Sequence, residues 1–141
     1  MRLGFYSEIA RRDIVQIRNL ISNAGISSYP REIRECRQHL IELKGYDFII
    51  SSSDFFSAST FRDLLFHVQE HHMTLSVLAD FCKDHNLNFL GFDIDSDVKH
   101  LYNNRFSNDP AATNLDNWHI YETEHPDTFL GMYQFWIQKT Q

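Results

Sequence analysis

Residues 87–94, LNFLGFDI, constrain the fold more than any other stretch of this chain. Apolar side chains dominate the segment, and turn-forming residues flank it, Asn86 in front and an acidic run behind. It reads as a β-strand, with Phe89, Gly91 and Asp93 on one side and Leu90, Phe92 and Ile94 on the other. Strand character recurs in RLGFYS at 2–7 and in MYQFWIQ at 132–138. Helical patterns separate these segments, a mixed α/β order with few strands for its length. The expected class is therefore α/β, with a small three-stranded mixed sheet.

The intervening sequence supports helices. From Ile9 to Gly25, apolar residues recur three or four apart at Ile14, Ile17, Leu20 and Ile21, and Gly25 stops the run. Pro30 opens a second helix, with Ile33, Cys36, Leu40 and Leu43 as its stripe and Gly45 at its end. SSSDFFSAS at 51–59 has the composition of a loop or lid. STFRDLLFHVQEH at 59–71 reads as a helix capped by Ser59 or Thr60, with Leu64, Leu65 and Val68 on its apolar side. Thr74 caps the next helix, in which Leu75, Leu78, Ala79 and Cys82 share a face, and Asn86 suits a left-handed stop. Short helices follow at 97–106 and 115–126, around a loop containing Asp109 and Pro110. No repeat or linker divides the 141 residues, which are expected to form a single domain, 1–141.

Composition narrows the function classes. The net charge is −6 and the only basic run is Arg11-Arg12, which argues against nucleic acid as a partner. No apolar run is long enough for a bilayer, and no signal-peptide core follows Met1, so no membrane role and a cytoplasmic location are expected. Cys36 and Cys82 form no disulfide framework and fit a reducing compartment. Twelve Phe in so short a chain imply an aromatic core, or rings that face a pocket or partner.

One motif points to metal chemistry. His67, Glu70 and His71 spell H-x-x-E-H, the pattern of inverted zinc peptidases. On a helix the two imidazoles would share a face, Glu70 would polarise a metal-bound water, and Glu122 or Glu124 would have to complete the ligand set. The same residues also suit the polar face of a half-exposed helix, or a pocket wall without metal. The five glycines form no G-x-G pair and no serine sits in a G-x-S-x-G elbow. The acids Asp93, Asp95 and Asp97 lack the glycine turn and terminal glutamate of a calcium loop.

Taken together, RLGFYSE, SSSDFFSASTFRDLLFHVQEHHMTL, LNFLGFDI and DPAATNLDNWHIYETEHPDTFLGMYQFWIQK resemble the C-terminal half of a bacterial class I S-adenosylmethionine-dependent methyltransferase. The closest group is the one often joined to tetratricopeptide repeats. The resemblance spans nearly the whole chain and is most specific in RDLLFHVQEH and GMYQFW. It implies a partial Rossmann-like sheet in the order 2–7, 132–138, 87–94, with the middle strand antiparallel to its neighbours. It implies that residues 9–73 are a helical insertion that caps the substrate mouth. The carboxyl ends of parallel strands form the crevice in such sheets, which makes Tyr6, Ser7, Glu8, Arg62, His67, Glu70 and His71 the substrate-binding candidates. The family's glycine-rich turn and ribose-binding acid are not among these residues. The resemblance therefore implies a substrate-side portion that does not act alone, takes no S-adenosylmethionine by itself, and works with an N-terminal cofactor-binding half. The alternatives are a non-catalytic regulatory module that self-associates through strand 2–7, treated as an unpaired edge, and the zinc hydrolase.

Overall fold

The computed structural model describes residues 1–67 and 69–140, and two compact units emerge, Met1–Arg11 with His71–Gln141, and Arg12–Glu70. The first unit is built on a mixed sheet. Its strands are β1 (Arg2–Ser7), β2 (His72–Met73), β3 (Leu87–Phe92) and β4 (Tyr133–Lys139), in the order β2-β1-β4-β3. β4 runs antiparallel to both β1 and β3, so β1 and β3 are parallel. The sheet has four strands rather than the expected three. β2 adds to the outer side of β1 in parallel, pairing Tyr6 with His72 and Ser7 with Met73. Strand 2–7 is thus not an unpaired edge along its whole length. The pairing seen among the described residues leaves the outer side of Arg2–Phe5 without a strand.

Alternation places Leu3, Phe5, Phe135 and Ile137 on one face, with helices over it. Helix α6 (Leu75–Asp84) buries Leu75, Leu78 and Cys82 there. Thr74 caps it by accepting the Val77 amide at 3.3 Å, and Asn86 takes φ 51° just after it, as its place in the sequence implies. The sequence-based faces of β3 do not survive. Phe89 sits opposite Ile137 and Gly91 opposite Trp136, so Leu90 is an extra residue, and Gly91 takes φ 130°. This bulge resets the alternation. Phe89 and Phe92 both face the core, 4.9 Å apart, while Leu90 is half exposed.

Helices α7 (Ser96–Arg105) and α8 (Leu115–Glu124) and the 3₁₀ turn Pro126–Phe129 complete the unit. Tyr102 stacks on Trp118 at 3.9 Å, and Phe92 and Phe129 meet the same indole edge-on. Asp109 ties the intervening loop together, accepting from the Tyr102 hydroxyl at 2.6 Å and the Asn114 amide at 2.9 Å. The Trp118 indole donates to the Ala112 carbonyl at 2.9 Å. Many of the phenylalanines are therefore core, not surface.

The second unit is helical. Most of α1 (Glu8–Asn23) belongs to it, followed by α2 (Pro30–Glu42), single-turn α3 (Asp47–Ile50) and α4 (Ser53–Phe56), and α5 (Ala58–Phe66). SSSDFFSAS is thus partly helical. Gly25, at φ 67°, ends α1 with bonds from its amide to Ser22 and from the Ile26 amide to Ile21. Ile14, Ile17 and Ile21 pack in a core with Ile33, Cys36, Leu40, Phe55, Phe61 and Leu65. Phe61 meets Phe55 edge-on at 5.4 Å. Leu20, assigned by spacing to the buried stripe, is 56% exposed.

Candidate functional site

α5 ends at Phe66, five residues before the sequence pattern suggests. His67 is extended, at φ −74° and ψ 124°, and the chain then runs to the β2 pairing at His72. The apolar assignment of Val68 lies outside the described residues. His67 and His71 therefore do not stand on one helical face. Glu70 is also engaged elsewhere, accepting two bonds from the Arg18 guanidinium at 3.0 and 2.9 Å while Arg18 Nε donates to the Leu64 carbonyl at 2.8 Å. The pair is largely shielded from water. The proposed third ligands are committed as well. Glu124 pairs with Arg105 at 3.0 Å, and Glu122 is fully buried. Among the described residues no group of three or more His, Cys, Asp or Glu side chains gathers in a metal-holding arrangement. The zinc geometry read from H-x-x-E-H is not formed.

The remaining candidates divide between the units. At the carboxyl end of β1, Ser7 is buried and its hydroxyl accepts the Ala10 amide at 3.0 Å, capping α1. The same hydroxyl donates to one oxygen of Glu122, and the Tyr133 hydroxyl donates to the other at 2.6 Å. Burial raises the Glu122 carboxyl above its ordinary value, against the opposing pull of the Ser7 and Tyr133 bonds and the nearby His119. Burial, then the Glu122 bond, raises Tyr133 too. Tyr6, next along β1, lies under the Arg11 guanidinium at 4.1 Å. Glu8 and His71 are exposed.

No protein-family model matches this chain, and no curated protein matches it significantly.

In the second unit, Arg62 and His67 line one cavity of about 640 Å³. Arg34 from α2 joins them, with Asp63, Ser28 and Ser59 as the other polar residues and Ile33 and Phe66 on the apolar wall. Arg34 Nε donates to the Pro30 carbonyl at 3.1 Å. A second, mostly apolar cavity of about 930 Å³ lies along α1 and α2, lined by Ile17, Leu20, Cys36, Leu40 and Tyr46 among others. Burial raises the Cys36 thiol there, which keeps it neutral and unreactive.

Of the predicted site residues, the fold thus brings Arg62 and His67 together and assigns Glu70 to an ion pair. Sequence reasoning missed Arg18, Arg34 and the role of Glu122. A serine before an acidic first turn is a capping signal that could have pointed to Ser7. The sequence holds no G-x-G pair, and at the carboxyl end of β1 Ser7, Glu122 and Tyr133 are bonded to one another.

Proposed function

We propose that this chain is the substrate-side portion of a bacterial class I S-adenosylmethionine-dependent methyltransferase of the tetratricopeptide-repeat-associated group. In this reading it is cytoplasmic and needs a cofactor-binding N-terminal half to act. The observation that carries the proposal is the strand arrangement, with β4 antiparallel between the parallel β1 and β3. That order and that antiparallel middle strand are what the family resemblance implies for the end of a Rossmann-like sheet, and this agreement supports the reading. β2 would stand where the cofactor-binding half would otherwise continue the sheet beside β1.

Methyl transfer needs donor and acceptor held in line at close approach. In this reading the helical segment 9–73 is the acceptor cap. Arg62 and His67, in the helical unit, would contact the acceptor, and Tyr6 and Glu8 remain acceptor candidates at the carboxyl end of β1, which the Ser7, Glu122 and Tyr133 bonds fix. Glu70 acts by holding Arg18 and the end of α5, not by touching substrate. Titration calorimetry of S-adenosylmethionine into the isolated 141-residue chain is expected to show no binding. Stoichiometric binding would refute the assignment of the cofactor site to another segment.

A second reading rests on the outer side of Arg2–Phe5, which β2 does not cover. A regulatory module could pair there with a second copy or with a partner's strand. Light scattering at rising concentration tests it. A dimer abolished by Leu3→Pro favours self-pairing, and a strict monomer rejects it.

A further inference from the structure

We propose that the cavity between α2 and α5 is a binding site for an organic anion, a carboxylate or phosphate monoester attached to a small apolar body. The inference is drawn from the second unit alone and does not depend on methyl transfer. Three basic side chains, Arg34, Arg62 and His67, line the cavity against one acid, Asp63. The two guanidiniums outweigh that carboxylate before the imidazole is counted. Neither Arg62 nor Asp63 has an ion-pair partner within the protein among the described residues, and the Arg34 bond goes to a neutral carbonyl. One turn along α2, Arg37 carries two buried nitrogens without hydrogen-bond partners, over the rings of Phe55 and Phe61. Arg37 stands outside the cavity lining, so the surplus there is that of the exposed Arg34 and Arg62 over Asp63.

Both helices also begin at the cavity. Pro30 opens α2, and Ala58 and Ser59 open α5, and neither start carries a side-chain cap. The positive end of α5, which has no acid in its first turn, adds to the arginine field, whereas Glu32 offsets that of α2. Guanidinium forks bind carboxylate or phosphate oxygens two at a time. Ile33 and Phe66 offer the apolar wall for the rest of the ligand, and a volume of about 640 Å³ suits a metabolite rather than a bare ion.

The test is an amide NMR titration of the full chain with phenyl phosphate, benzoate and the neutral benzyl alcohol. One or both anions should shift the amides of Ser59, Arg62 and His67 saturably. Arg62→Ala should weaken that binding at least tenfold, while Arg31→Ala, at a residue that lines the other cavity and pairs with Glu35, should leave it unchanged. The stronger of the two anions names the ligand class. Equal binding of benzyl alcohol, or saturable binding of neither anion, would overturn the proposal. Arg62→Lys, which keeps charge but loses the fork, should fall between parent and alanine variant and guards against misfolding of the latter. The methyltransferase reading assigns Arg62 and His67 to the acceptor, so failure here would remove those two contacts, while the cofactor half of that reading is decided separately by the S-adenosylmethionine calorimetry.

Discussion

Replacing Glu122 separates its hydrogen bonds from its charge. In Glu122→Ala, the Ser7 and Tyr133 hydroxyls lose their acceptor inside a buried site. An unsatisfied buried donor costs about 1–3 kcal/mol, so the two together should cost about 2–6 kcal/mol. Glu122→Gln keeps the shape and one carbonyl acceptor, and should cost about 1 kcal/mol or less near pH 5. The pH dependence carries the finer test. Burial raises the folded carboxyl above its ordinary 4.5. The folded chain therefore holds this proton more tightly than the unfolded chain. The stability it contributes is full below pH 4.5 and is lost as pH rises through the folded value. The limiting slope for one such group is about 1.4 kcal/mol per pH unit. Urea unfolding between pH 4.5 and 8 should show the advantage of the parent over Glu122→Gln shrinking as pH rises, with a reversal permitted. A gap that stays constant or widens would refute a carboxyl raised by burial.

Arg18→Ala and Glu70→Ala should each destabilise by about 3–5 kcal/mol, the range for breaking a shielded pair. The double variant should lose less than the sum in denaturant melts, and strict additivity would deny the contact. Gly91→Ala forces a methyl-bearing residue to φ 130° and should cost about 1–3 kcal/mol, with Gly131→Ala nearly silent by comparison. Equal midpoints would rule out the bulge. Burial alone would raise Asp109, but bonds from Tyr102, Asn114, Thr113 and Ala112 outweigh it and lower the carboxyl. Its contribution is present above the ordinary aspartate range and is lost as pH falls through the folded value. Asp109→Asn should therefore lower the thermal midpoint at pH 7 and narrow its gap to the parent in acid; a gap independent of pH would refute this.

What the sequence conveyed was chiefly local. Thr74, Asn86 and Gly25 act through their own backbone neighbourhoods, so their roles as cap and stops were legible from residue type and spacing. The three longer strands were legible from their apolar runs, and their order from the family resemblance. The bulge at Leu90 was not, because an extra residue is defined by the partner strand, and Gly91 was its only trace. β2 was hidden for a related reason. Two residues carry no periodicity, and His72 and Met73 are a strand only because Tyr6 and Ser7 lie beside them. α5 likewise ends at Phe66, although HVQEH keeps a helical pattern in sequence. The cavity of Arg34, Arg62 and His67 joins residues of two helices and the chain after α5, which no spacing rule relates.

The most direct test of the central claim uses the native protein. It would be captured from its source cells with an antibody against α8 and irradiated with methyl-labelled S-adenosylmethionine, beside the recombinant 141-residue chain. Label is expected on the native material, displaced by unlabelled cofactor, and none on the recombinant chain. Native material that takes no displaceable label, or a recombinant chain labelled to the same extent, would contradict the claim.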